Sequence, residues 1–184
     1  MKLNDWFDRG LTYGQYVEGM TVNKEEMESI FDKFTLDEEK VGFLKGRQLR
    51  VIVLTEDWCG DALLNNPILM KIADAADMDV RFILRDQNLE LMDQYLTNGT
   101  ARSIPIFIFI DQKGEEVAVW GPRAVALQEM VDRVKATLPP ADAHDFKEKQ
   151  AGAFKQLRES YVKDSSLWDI VSESILEKVK ERVL

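Results

Sequence analysis

Hydrophobic positions change their spacing several times along this chain, and each change marks an element. Between residues 13 and 34 they recur at intervals of three and four: Tyr13, Tyr16, Val17 and Met20, then Met27, Ile30, Phe31 and Phe34. Two helices are predicted there, with Asn23 placed to cap the second. Thr35 and Glu38 have capping-box spacing, so a third short helix is predicted with Val41 and Leu44 on its apolar face and Gly46 at its end. The pattern then becomes continuous. LRVIVLT, 49 to 55, is short, β-branched and apolar throughout, as a strand buried on both faces would be.

From Gly60 helical spacing returns through Leu63, Leu64, Ile68, Leu69 and Ile72, with Pro67 inside it as an expected kink rather than a stop. DVRFILR (79–85) reads as a strand and LELMDQYL (89–96) as a helix. RSIPIFIFID (102–111) and EEVAVW (115–120) flank a Lys113-Gly114 turn and are expected to pair antiparallel. An amphipathic helix follows through Leu127, Met130, Val131 and Val134 to Leu138, where Pro139-Pro140 stops it. The charge-rich remainder is helical, with Leu167, Ile170, Val171, Ile175, Val179 and Val183 in one stripe. The central order β-α-β-α-β-β-α calls for an α/β fold, a mixed sheet with helices on both faces. No repeat or flexible linker interrupts it. The expected organisation is a single domain, 1–184, with an N-terminal helical extension (1–48), a core (49–138) and a C-terminal helical extension (139–184).

Composition narrows the chemistry. A chain of 184 residues, 45% hydrophobic, can bury a sizeable core without a disulfide scaffold. Its one cysteine, Cys59, and one histidine, His144, supply neither an internal disulfide nor the ligands of a structural zinc site, so no metal or cofactor is expected. The net charge of -9 disfavours nucleic acid and anionic membrane as partners. The longest apolar run, IPIFIFI at 104–110, is far short of the ~20 residues of a spanning helix. MKLNDWFDRG also lacks a secretory apolar stretch, so the expected location is cytoplasmic, where thiols are mostly reduced.

The stretch LTEDWCGDALLNNPIL, 54 to 69, holds the chemistry. A strand running into Trp58-Cys59-Gly60 and then a helix sets the sulfur at a helix N-terminus, where free N–H groups and the helix dipole favour a thiolate. A purely structural cysteine has no need of that junction. Glu56, Asp57 and Asp61 oppose the dipole by on the order of 1 kcal/mol each at ~4 Å. A thiol of ordinary acidity or slightly below is therefore expected. His144 lies beyond Pro139-Pro140, and nothing in the sequence places it near Cys59.

The motifs E-D-W-C-G after an apolar strand, R-S-I-P at 102–105, the strand pair and Trp120-Gly121 occur in an order that resembles the thioredoxin family over about 49–138. The resemblance implies a thioredoxin fold carrying extra N-terminal and C-terminal helices. It implies Cys59 as the catalytic nucleophile and a cis Ile104-Pro105 bond facing it, with the Ile104 backbone turned outward towards an extended peptide. Trp58, Ile104, Pro105 and Gly121 would form a shallow apolar groove. Gly60 and Asp61 of the loop join them as substrate-binding candidates.

The departures from the family pattern bear on mechanism. Where the family has a second, resolving cysteine the chain has Ala62, its buried carboxylate position is Val53, and its lysine position is Phe82. A dithiol cycle is therefore not expected. The leading expectation is one-thiol exchange, in which Cys59 attacks a protein or small-molecule disulfide and an external low-molecular-weight thiol resolves the product. The alternative is a redox-inactive binding or adaptor module that uses the groove beside Pro105. A third arrangement, a cluster-binding dimer like one-cysteine glutaredoxins, fits less well, since C-G-D-A differs from C-G-F-S and only Arg102 offers a basic contact for a small thiol. An exposed stripe on the terminal helices would add self-association.

Overall fold

Alternation within two strands decides which way every neighbouring element packs. Val51 and Val53 of β1 (Arg50–Thr55) point to one side of the sheet with Phe107 and Phe109 of β3 (Ile106–Ile110). Ile52 and Leu54 point to the other with Ile106, Ile108 and Ile110. Both sets are buried, so both faces of the sheet must be covered. The computed structural model, which describes residues 1–184, shows how.

The sheet has four strands in the order β2-β1-β3-β4, with β2 at Asp79–Leu84 and β4 at Glu116–Trp120. β1 runs parallel to β2 and antiparallel to β3, and β4 is antiparallel to β3. The β3–β4 hairpin turns at Gly114, whose φ of +84° suits the absence of a side chain. No helix is long and apolar enough to cross a membrane.

One face is covered by α1 (Leu3–Arg9), through Trp6 and Phe7, and by the single turn α5 (Leu89–Met92), through Leu91 and Met92. The other carries α2 (Tyr13–Gly19), α3 (Lys24–Lys33), α4 (Gly60–Ala76), α6 (Val125–Ala136), α7 (Phe146–Lys163) and α8 (Ser165–Val183). The α4 helix runs unbroken through Pro67 and is buried over most of its circumference, from Ala62 to Ala76. Each large apolar side chain taken from water contributes roughly 1.5–3 kcal/mol.

Local chemistry departs from the pattern-based reading in several places: the helix expected over 89–96 stops after one turn at Met92, and the strand expected from 102 starts at Ile106. Asn23 precedes α3 but has a φ of +62° and makes no side-chain cap; its amide instead reaches the Asp57 carbonyl at 3.0 Å. The short helix before β1 is a 3-10 segment, Glu38–Leu44, capped by Asp37 rather than Thr35. The C-terminal region divides into two helices at Asp164, whose carboxylate accepts from the Ser166 N–H and starts α8. His144 sits in the exposed turn before α7 and not in a helix.

Candidate functional site

β1 ends at Thr55, and the chain turns through Glu56, Asp57 and Trp58 before α4 begins at Gly60, with Cys59 in the N-cap position. The Cys59 thiol donates to the Ile104 carbonyl oxygen at 3.4 Å. Ile104-Pro105 is a cis peptide bond. Two segments 45 residues apart thus meet at the sulfur. Gly121, at φ +130°, closes the same corner, and a Cβ there would collide with the Pro105 carbonyl oxygen.

The sulfur is at the helix N-terminus and also buried. Cys59 keeps 8% of its surface and belongs to the apolar cluster of Trp6, Phe7, Met92 and Ile104. Burial pushes its thiol up to about 11, and the Asp61 carboxylate adds to the rise; the N–H groups of Ala62 and Asp61 and the Arg123 charge pull the other way and lose. This corrects the expectation of ordinary acidity. Sequence neighbours set the local dipole and charges, but burial also depends on segments distant in the chain, above all Ile104, whose carbonyl oxygen accepts from the thiol.

The three positions where the resemblance put resolving groups are apolar. Ala62, Val53 and Phe82 are all buried. Tyr16 stacks on Phe82 with ring centroids 4.6 Å apart, so α2 occupies the ground beside it. The Tyr16 hydroxyl is 3.5 Å from Thr55 Oγ1, which also accepts from the Asn66 amide at 3.1 Å. Burial pushes that phenol up to about 12.

Both extensions grip the loop. From the N-terminal side, the Thr21 N–H donates to Asp57 at 2.8 Å and Asn23 holds the Asp57 carbonyl. From the C-terminal side, the Tyr161 hydroxyl of α7 donates to Asp61 at 3.1 Å, and the Arg158 stem lies against Gly60, where a Cβ would stand 3.0 Å from its Cγ. Arg123 completes the clamp with an ion pair to Asp61 at 2.8 Å. A cleft of about 140 Å³ remains between Gly60, Asp61, Arg123 and the α7 residues Leu157, Arg158 and Tyr161. Arg123, Arg158 and Tyr161 carried no motif in the sequence, and only the fold brings them to the loop.

The thioredoxin family model matches residues 10–136, more than half of the chain. The chain belongs to the thioredoxin family. The match begins inside the N-terminal helices and ends with α6, leaving α7 and α8 outside the family model. Two solved structures share the architecture of this thioredoxin-family chain. One is a protein of unknown function, PA1234, from Pseudomonas aeruginosa, at 15% identity and TM-score 0.64, covering 94% of this chain and 98% of that one. The other is an HIV epitope-scaffold at 15% identity and TM-score 0.69, covering 98% of this chain and 99% of that one. At that identity the likeness concerns the fold alone. No curated protein matches the chain.

Of the residues singled out in the sequence, Cys59, Gly60, Asp61, Ile104, Pro105 and Gly121 gather at one corner of the sheet. Trp58 stands at its open side, 51% exposed, with the Arg85 guanidinium 4.9 Å from its ring centroid. Arg102 is held by Asp93 through two hydrogen bonds. His144 takes no part. No group of His, Cys, Asp or Glu side chains is placed to hold a metal ion.

Proposed function

We propose that this thioredoxin-family protein is a binding module that receives an extended polypeptide in the groove beside Trp58 and Ile104-Pro105, without a redox cycle. One observation carries the reading: the thiol is buried, protonated at neutral pH and without a neighbouring thiol, while Trp58 next to it is exposed; the Ile104 and Pro105 side chains, expected to line an open groove, are buried instead. With the thiol pushed up to about 11, the thiolate fraction near pH 7 is on the order of one in ten thousand. Meanwhile the main-chain N–H groups of Arg102, Ser103 and Ile104 have no partner within the chain. A partner strand would satisfy such donors, and an exposed indole would supply apolar contact.

The test compares variants in a direct peptide-binding titration. Cys59→Ser should leave affinity within about twofold, whereas Trp58→Ala should weaken it by at least about tenfold, a loss of ~1.4 kcal/mol. Equal losses in both variants would move the reading to thiol chemistry.

The N–H groups of Asp61 and Ala62, which are directed at the sulfur, favour a second reading. In it the Cys59 thiolate attacks a mixed disulfide and expels one thiolate. An external low-molecular-weight thiolate then attacks the outer sulfur of the new Cys59 disulfide, forming a small-molecule disulfide with it and releasing the Cys59 thiolate, which is reprotonated. Mixed-disulfide reduction lost in Cys59→Ala and dependent on added thiol would establish that cycle in place of the binding role.

A further inference from the structure

The open side of the groove has a marked electrostatic character. Trp58 is linked through Arg85 to the Arg102 carbonyl, which accepts from the Arg85 guanidinium at 2.9 Å, so Arg85 joins the exposed indole to the exposed start of the 102–104 segment. Leu89, exposed on α5, follows the same 85–88 turn, and Val22 follows Thr21, which is bonded to Asp57. Apart from the chain ends, only Val125 among the large exposed apolar residues lies away from these segments.

Carboxylates line that apolar strip. Glu56 accepts from the Asp86 N–H at 3.0 Å, Asp57 is fixed by Thr21, and Asp86, Glu90 and Asp93 are exposed along the turn and α5. Against these five acids stand Arg85 and Arg102, and both are already paired, with Asp86 at 2.9 Å and with Asp93 at 2.8 Å. Glu90 forms no ion pair. On the Trp58 side of the loop the rim is therefore net negative, and its two cations are paired where they stand; the unpaired Arg158 lies on the opposite side, against Gly60.

We infer that the occupant of this groove is an extended peptide with an apolar centre flanked by Lys or Arg. The inference rests on the binding reading above and adds the chemical class of the partner. Apolar residues of the peptide meet Trp58 and Leu89, its backbone pairs with the 102–104 segment, and its cations face Glu90, Glu56 and Asp57, the acids of the rim without an ion pair. An acidic peptide would meet like charge along the same rim, which costs affinity as well as encounter rate.

Three fluorescein-labelled peptides test this, sharing one Val-Ile-Val centre and flanked by Lys/Arg, by Ser/Gln or by Asp/Glu. Fluorescence anisotropy with the full chain, at low and at physiological salt, gives their affinities. The basic peptide should bind at least about tenfold more tightly than the acidic one, and salt should narrow the gap. Glu90→Lys, an exposed change that breaks no contact, should reduce the preference severalfold. Equal binding of all three peptides, or a preference untouched by salt, overturns the charge selection and leaves the groove reading standing. Binding of none overturns both.

Discussion

Arg123 holds the Asp61 carboxylate at 2.8 Å, two residues past Cys59 in the chain, while the Tyr161 hydroxyl donates to the other oxygen of the same group. Its negative charge acts on the sulfur, and its two partners keep it from turning away.

Neutralising that charge should make the thiol more acidic. In Asp61→Asn the second cause of the raised thiol is removed, while the Arg123 charge that favours the thiolate remains. The alkylation rate of Cys59 against pH should shift to lower pH, with burial holding it above the ordinary cysteine range. No shift would mean that burial alone sets the acidity.

Alkaline stability should carry the mark of Cys59. Its folded pKa of about 11 lies above the reference value of 9.0, so the unfolded chain releases its proton first as pH rises. Stability is full below about pH 9 and falls between about 9 and 11, by roughly 2–3 kcal/mol in total. In Cys59→Ala the fall should begin later, near pH 10, where tyrosines of the unfolded chain release their protons while Tyr16 and Tyr161, both raised chiefly by burial, keep theirs in the folded one. Urea unfolding at stepped pH separates the two curves.

Removal of the hydroxyl in Tyr161→Phe should cost about 1.5–3 kcal/mol, the range for a hydrogen bond to a charged group. Arg123→Gln should cost on the order of 2–3 kcal/mol, because it strands a largely buried carboxylate. Both act on one group, so the double variant should lose less than the sum, as urea unfolding of the four proteins would show.

Gly121→Ala should be among the most damaging single changes. The backbone there has a φ of +130°, and a methyl group would strike the Pro105 carbonyl. A loss of at least about 2 kcal/mol is expected, with an altered Trp58 environment by fluorescence if the groove shifts.

Much of this was legible in the sequence because it is local. The β-branched run at 50–55, the return of helical spacing at Gly60 and the Lys113-Gly114 turn each fix an element from neighbouring residues. The motif W-C-G followed by I-P also marked the corner where two segments meet. What the sequence left hidden depends on residues far apart. The burial of Cys59 involves the Ile104 segment, 45 residues further on, and no pattern near position 59 reports it. Asn23 looks like a cap until Asp57, 34 residues away, is seen to take its amide. Arg158 and Tyr161 read as ordinary positions of a charged helix, since their target at Gly60-Asp61 lies about a hundred residues upstream.

Thr21 and Asn23 near one end of the chain and Arg158 and Tyr161 near the other hold opposite sides of a single turn. Trimming the protein to a minimal core would therefore release that turn from both flanks at once. Even in a shortened version that keeps the sheet, the sulfur would sit in a looser, wetter pocket and react faster with alkylating reagents. Thiol reactivity measured on such a fragment would describe the fragment alone, and the intact polypeptide is the proper object for every assay of this cysteine.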